Sequence, residues 1–213
     1  MIRAIIFDLD NCLSAADEVG PELLEPTFAA IRQANNGTLS DAALEQAFAD
    51  CWRHALDYVA ARHSFSAEML TAGWAVAACT EVKTPMYGYP DLGALVDLPA
   101  RLFLVTSGFR RLQDSKIRAL GIGSLFEAIY VDAIDEANRK GKQGIFKEIL
   151  GAYALEPAEV LVVGDNPASE IEAGNHLGMM TVQILRAGVP RGGNAKHHIH
   201  RLDELKVLVT QNE

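Results

Sequence analysis

Five short apolar runs, separated by stretches of helical periodicity, constrain the fold of this 213-residue chain more than any other feature. They are Ile2–Phe7, Arg101–Thr106, Ala128–Val131, Val160–Val163 and Thr181–Leu185. Apolar residues on both faces of such a run suit a strand buried on two sides. The segments between carry a helical spacing. Leu112, Lys116, Ile117 and Leu120 share one face, with Gly121 as the stop. Ile145, Phe146, Ile149 and Leu150 share a second, and Ile171, Ala173 and Leu177 a third, closed by Gly178. Strands alternating with helices predict a parallel sheet with crossover helices on both faces. Ligands in such a sheet sit beyond the C-terminal ends of the strands, so the residues after each run are the first candidates for function.

Residues 15–88 break the alternation and hold no strand signal. Leu24, Phe28 and Ile31 fit one helical face, and Leu44, Phe48 and Cys51 another, with Ser40 as N-cap. Met69, Leu70, Gly73, Trp74 and Ala77 fit a third, with Ser66 as N-cap. Turn signals at Asn35-Asn36-Gly37 and between Pro85 and Pro90 bound them. The expected organisation is an α/β, Rossmann-like core from residues 1–14 and 89–213, with a helical cap inserted at 15–88. Hinges are expected near Ser14–Asp17 and Tyr87–Pro90.

Charge narrows the partners. Lys plus Arg is 19 and Asp plus Glu is 28, a net charge of -9. Such a surface repels nucleic acid and anionic membrane, so neither is expected as a partner. A phosphate site here would need a local positive counterweight. Cys12, Cys51 and Cys79 are widely spaced, with no CxxC pair, which argues against a zinc site or a disulfide framework. A reducing, cytoplasmic setting is expected. The opening MIRAIIFDLD has a short apolar run ending in two aspartates, unlike a signal peptide or a membrane span.

Four features stand at strand ends or before helices. Asp8-Leu9-Asp10 ends the first strand. Two acids at that spacing suit a nucleophile and a general acid/base, if a cation offsets their charge. Thr106-Ser107-Gly108 offers hydroxyl and backbone N–H donors to phosphate oxygens. Arg139-Lys140-Gly141-Lys142 precedes a helix and supplies the counterweight. Gly164-Asp165-Asn166, with Glu170 five residues after Asp165, offers carboxylates to a hard cation such as Mg²⁺.

The set Asp8-x-Asp10, Thr106, Lys140 or Lys142, and Gly164-Asp165-x-x-x-x-Glu170 resembles the haloacid dehalogenase superfamily, with a C1-type helical cap. That resemblance implies a Mg²⁺-dependent phosphatase acting on a small phosphorylated metabolite, such as a nucleotide or sugar phosphate. By it, Asp8 is the nucleophile and forms an aspartyl-phosphate. Asp10 is the acid/base, and its carbonyl joins Asp8 and Asp165 in holding Mg²⁺. Thr106, Ser107 and Lys142 bind the phosphoryl group, with Lys140 as the alternative lysine. Gly108, Asn166 and Glu170 are further candidates. Three residues depart from the usual pattern: Asn11 for Gly, Cys12 for Thr, and Glu170 for Asp. A phosphomutase of the β-phosphoglucomutase type shares these core residues. Asp10 argues against a dehalogenase, because members that attack carbon generally lack that second acid. The full acidic set argues against a non-catalytic binding protein.

Other residues read as structural. Arg53, His54, Arg62 and His63 fit solvated charges on short helices, and Trp52 and Trp74 fit core positions. Asp17 and Glu18 fall at the first hinge. His197, His198 and His200 should point outward while Ile199 and Leu202 pack.

Overall fold

The computed structural model describes residues 1–210, so the end of the expected core segment, 211–213, lies outside the described residues. Its strands are β1 (Ala4–Phe7), β2 (Arg101–Gly108), β3 (Ala128–Ala133), β4 (Val160–Gly164), β5 (Met180–Ile184) and β6 (His197–Ile199). All pair in parallel, in the order β3-β2-β1-β4-β5-β6. This is the α/β, Rossmann-like arrangement, and its strand order reverses at the central β1.

Side-chain alternation builds two cores. Ile5 and Phe7 of β1, Leu102 and Leu104 of β2, and Leu161 and Val163 of β4 face one side. There they meet Ile117 of α5 (Arg110–Leu120) and Leu205 of α8 (Leu205–Thr210). Ala4, Ile6, Phe103, Val105 and Val162 face the other side. They pack on Ile145, Phe146 and Ile149 of α6 (Gly141–Ala152) and Ala173 of α7 (Glu172–His176). The two periods, 2.0 along a strand and 3.6 along a helix, thus bury both sheet faces with one sequence pattern.

Register brings the functional strand ends level. Phe7 pairs with Leu104 and with Val163, so Asp8, Val105 and Gly164 lie at one height.

The segment between β1 and β2 is helical. It contains α1 (Glu25–Ala34), α2 (Asp41–Asp50), α3 (Leu56–Arg62) and α4 (Ala67–Ala77). Ser40 accepts from the Ala43 N–H at 3.3 Å and Ser66 from the Met69 N–H at 3.2 Å, the two expected caps. Phe28 stacks on Phe48 at 4.4 Å within a separate apolar cluster that also holds Ile31, Leu44, Leu56 and Met69. Among the described residues no helix is long and apolar enough to cross a membrane.

The structure departs from the sequence reading in several places. Strand β2 runs on through Ser107 and Gly108, because its ladder with β3 continues to Asp132 and Ala133. The expected helix from Ser169 begins instead as a wide, distorted turn over Pro167–Ile171, and regular helix starts only at Glu172. Helix α3 and strand β6 are additional elements. Ile199 and Leu202 do pack in the core.

Helices α1 and α4 approach closely at Gly73, where an added Cβ would lie 2.6 Å from Cγ1 of the buried Ile31. Gly73→Val should therefore overpack this contact and lower stability by about 1–3 kcal/mol. Urea unfolding measures it, and a stability equal to the parent's would refute the close packing.

Candidate active site

Asp8 continues the parity of Ala4 and Ile6, toward the α6 side of the sheet. Its backbone N–H still donates to Val163 O at 2.9 Å. On that side Lys142, in the first turn of α6, places Nζ 2.8 Å from Asp8 Oδ1 and 2.7 Å from Glu170 Oε2. All three side chains are buried. Lys140 points away and pairs with Glu148 at the surface, 2.6 Å apart.

The start of α6 is held by Asp132 at the end of β3. Asp132 accepts from the Gly141 N–H at 2.9 Å, Arg139 Nε at 2.8 Å and Ser107 Oγ at 3.2 Å. Gly141 has φ +67, a region that favours glycine, and this turn swings Lys142 inward. Glu170 lies beneath Gly164, where any Cβ would fall 2.1 Å from Glu170 Oε1. The same oxygen accepts from the Asn166 N–H at 2.7 Å. This folded-back carboxylate accompanies the distortion at Ser169, whose φ and ψ are -122 and -105. Asn166 lines the cavity described below, and its side chain caps the Ala168 N–H at 3.0 Å.

Asp10 leaves the parity of Asp8. The strand ends at Phe7, Asn11 adopts φ +55, and the Asp10 carboxylate turns to α5. There Lys116 Nζ lies 2.7 Å from Oδ1 and Gln113 Nε2 2.9 Å from Oδ2. Gln113 Nε2 also reaches Thr106 Oγ1. Neither residue was singled out as functional from the sequence. The available signal was Lys116 itself, a charge on the face of α5 that turns to the sheet.

A cavity of about 530 Å³ opens above these groups. Asp8, Asp10, Thr106, Ser107, Gly108, Lys142 and Asp165 line it from the strand ends. Trp52, Arg53 and His54 line it from the helical segment, so these three are not merely core or solvated positions. Arg53 donates to Gly188 O at 3.0 Å, and His54 packs on Tyr58 at 4.7 Å. Arg62 and His63 pair with Asp50 instead. Glu18 accepts from the Tyr87 and Gly88 N–H groups, joining the two crossings of the chain. The histidine cluster lies at the edge strand, where His198 contacts Arg191 and Gly192 O.

Residues 2–178 match the family model of the haloacid dehalogenase-like hydrolases. The chain belongs to this family. It is 27% identical over 205 residues to a glyceraldehyde 3-phosphate phosphatase of Methanopyrus kandleri, covering 87% of this chain and 85% of that one. It is 33% identical over 89 residues to an N-acylneuraminate-9-phosphatase of Rattus norvegicus, but this match spans 41% of the chain and 36% of that protein. Among solved structures, an HAD phosphatase from Thermococcus onnurineus superposes with a TM-score of 0.67 at 21% identity, covering 98% of both chains. That likeness bears on the fold.

Two residues where this hydrolase departs from its family's usual pattern have a local account. Asn11 occupies a left-handed position, which Asn tolerates better than most residues with a Cβ. Its side chain accepts from the Ala16 N–H at 3.1 Å. Cys12 is fully buried with Sγ 3.8 Å from Val163 O. Burial pushes its thiol well above the ordinary range, so it is no competing nucleophile.

Electrostatics define what the site lacks. Burial pushes the Asp8 carboxyl up to about 7, opposed by the Lys142 charge and aided by that of Glu170. Burial, then the charges of Glu170 and Asp8, push Asp165 up to about 8. Burial works against the Lys142 ammonium, but Asp8 and Glu170 outweigh it and raise its pKa. One ammonium thus faces three acids. Among the described residues, Asp8, Asp165 and Glu170 are the one acidic group whose ligand atoms all lie within 4.8 Å of one another. An all-oxygen donor set with surplus negative charge fits a hard divalent cation.

Both raised carboxyls bind protons more tightly folded than unfolded. Their contribution to stability is therefore full at acid pH and is lost as pH rises from the ordinary 3.8 through about 8. In EDTA, unfolding free energy measured from about pH 5 to about pH 8 should fall more steeply for the parent than for Asp165→Asn. Equal slopes would remove Asp165 as a strained acid.

Proposed function

We propose that this hydrolase is a Mg²⁺-dependent phosphatase of small phosphate esters, with Asp8 as nucleophile. The observation that carries the reading is the buried Asp8–Lys142–Glu170 arrangement beside Asp165, at the floor of the cavity. Lys142, rather than Lys140, is the lysine in contact with Asp8.

The chain's own groups account for the chemistry. Asp8 Oδ attacks phosphorus, the P–O bond to the ester oxygen breaks, and Asp10 gives that oxygen a proton. Water then attacks the aspartyl-phosphate, giving a proton back to Asp10 and releasing phosphate and the Asp8 carboxylate. Lys142 Nζ offsets the charge on Asp8 and the transferring group, and Thr106 donates to a phosphate oxygen. Asp8, Asp165 and the Asp10 carbonyl would hold Mg²⁺, which supplies Lewis-acid neutralisation of the phosphoryl oxygens when bound. Glu170 orients Lys142 and the Asn166 backbone, and stands with Asp8 and Asp165 in the acidic group.

Residues 15–88 act as a cap over a core of 1–14 and 89–213, in this reading. Its support is the separate apolar cluster of α1–α4 and the cavity lined from both sides. Closure of such a cap excludes water from the charged site. The curated relatives described above are phosphatases by name, which favours water over a second substrate hydroxyl as final acceptor.

The test is phosphate release from a panel of sugar, nucleotide and triose phosphates with Mg²⁺. Asp8→Asn should abolish release while the protein stays folded, and EDTA should do the same reversibly. Asp10→Asn should lower kcat by about 10²–10⁴-fold. No release from any ester by folded parent protein would overturn the reading.

A further inference from the structure

Gln113 and Lys116 lie close together on the buried face of α5, the helix opposite the one that carries Lys142. Gln113 is 2% exposed and Lys116 6%. Buried polar side chains need partners, and the partners of these two are site groups. Lys116 Nζ holds Asp10 Oδ1 at 2.7 Å. Gln113 Nε2 holds Asp10 Oδ2 at 2.9 Å and also contacts Thr106 Oγ1.

The direction of each hydrogen bond follows from chemistry. In the state in which Asp10 stands ready to take a proton from water it only accepts, so Gln113 then presents its NH₂ to Asp10 rather than its carbonyl. That one nitrogen has two hydrogens, and both are then committed, one to Asp10 and one to Thr106. Thr106 Oγ1 is therefore the acceptor of this bond. Its own hydrogen is left for another group, and Thr106 lines the cavity. In that state, reversing the amide would set two acceptors against each other at Asp10.

We propose that Gln113 and Lys116 are positioning residues of the active site. Together they fix the Asp10 carboxylate, and Gln113 commits the Thr106 hydroxyl to donate toward a phosphate oxygen. This rests on the roles given above to Asp10 and Thr106. Both residues line the cavity, but their polar atoms are engaged by Asp10 and Thr106; Gln113 acts on phosphate through Thr106, and Lys116 acts on proton transfer through the placement of Asp10. A single nitrogen thereby couples the phosphate-holding strand β2 to the loop after β1.

The experiment is a double-mutant cycle read in two ways, on variants checked for folding by circular dichroism and thermal unfolding. Tungstate binding in the presence of Mg²⁺, by calorimetry, needs no turnover. Thr106→Val and Gln113→Met should each weaken tungstate by about 10- to 100-fold, the loss of a hydrogen bond to a charged group. The double variant should be no more than about twofold weaker than Thr106→Val alone, because both remove the same donor. Gln113→Glu keeps the shape but turns the NH₂ into an acceptor that takes the Thr106 proton. It should lose at least as much as Gln113→Met, and it serves if the Met variant fails to fold.

Phosphate release separates the Lys116 part. Lys116→Met should lower kcat at least tenfold with KM changed less than about threefold, and Lys116→Arg should restore part of kcat. Tungstate bound by Gln113→Met as tightly as by the parent, or independent losses in the cycle, would overturn the Gln113 assignment even where the parent turns over. So would a parent that binds no tungstate. An unchanged kcat in Lys116→Met would overturn the Lys116 assignment. A parent that binds tungstate with the coupled cycle but releases phosphate from no ester would remove the phosphatase reading and leave the Gln113–Thr106 coupling standing.

Discussion

The ammonium of Lys142 is held between two buried carboxylates, 2.8 Å from Asp8 and 2.7 Å from Glu170, and the rest of the site is arranged around that contact. Charges taken out of water are stable only when paired with good geometry, and removing one partner of a buried pair costs about 3–5 kcal/mol. Each neighbour has a part in keeping the pair intact. Gly164 has no side chain, which leaves room for Glu170. Asp132 anchors the turn that delivers Lys142. The chain as a whole carries a net charge of -9, so attraction for an anionic substrate cannot come from its overall field. The positive side chains that line the cavity are Arg53, Lys116, Arg139 and Lys142.

The sheet divides the labour of the site between its two faces. Even-numbered residues of β1 face α6, and Asp8 extends that series to Lys142. On β2 the parity is offset, so Leu102, Leu104 and then Thr106 face α5, where Gln113 waits. Asp10 reaches the α5 side only because the chain curls after Phe7, with Asn11 in a left-handed conformation. Asp8 and Lys142 thus belong to one layer of helices, and Asp10 and Thr106 to the other. The cavity they line falls between them, beyond the end of β1, where the strand order reverses.

This division explains what was legible in the sequence. Asp8, Thr106 and Asp165 stand at the ends of apolar runs, so their placement could be read from local pattern alone. Five of the six strands were readable for the same reason, since buried parallel strands are continuous apolar runs. Strand β6 was not, because His197-His198-Ile199 offers one apolar residue and depends on pairing with β5. Gln113 and Lys116 were hidden differently. Their partners lie more than a hundred residues away at Asp10, and helical spacing places a residue on a face without saying what that face meets. Glu170 could be counted as an acid but not located, because its carboxylate folds back beneath Gly164. The choice between Lys140 and Lys142 likewise turned on the φ of Gly141, which no periodicity reports.

The loop that carries Asp10 also depends on a residue far along the chain. Arg186, just past β5, donates to Cys12 O at 2.8 Å and to Asp91 Oδ2 at 2.8 Å, and lies 4.0 Å above the Tyr89 ring. Asp91 Oδ2 accepts from the Leu202 N–H as well, and together these contacts hold its carboxyl below the usual range despite burial. One guanidinium therefore ties the loop after β1 to the segment that re-enters the sheet before β2. A planar fork with several donors can do this where a lysine could not. It also gives a reason why a cysteine is tolerated at position 12. A thiol is a weak donor, and Cys12 Sγ reaches Val163 O only at 3.8 Å. The backbone of the same residue is fixed instead through its carbonyl, so the shape of the loop no longer rests on the side chain. The anchor sits beneath both crossings between the sheet and the helical segment.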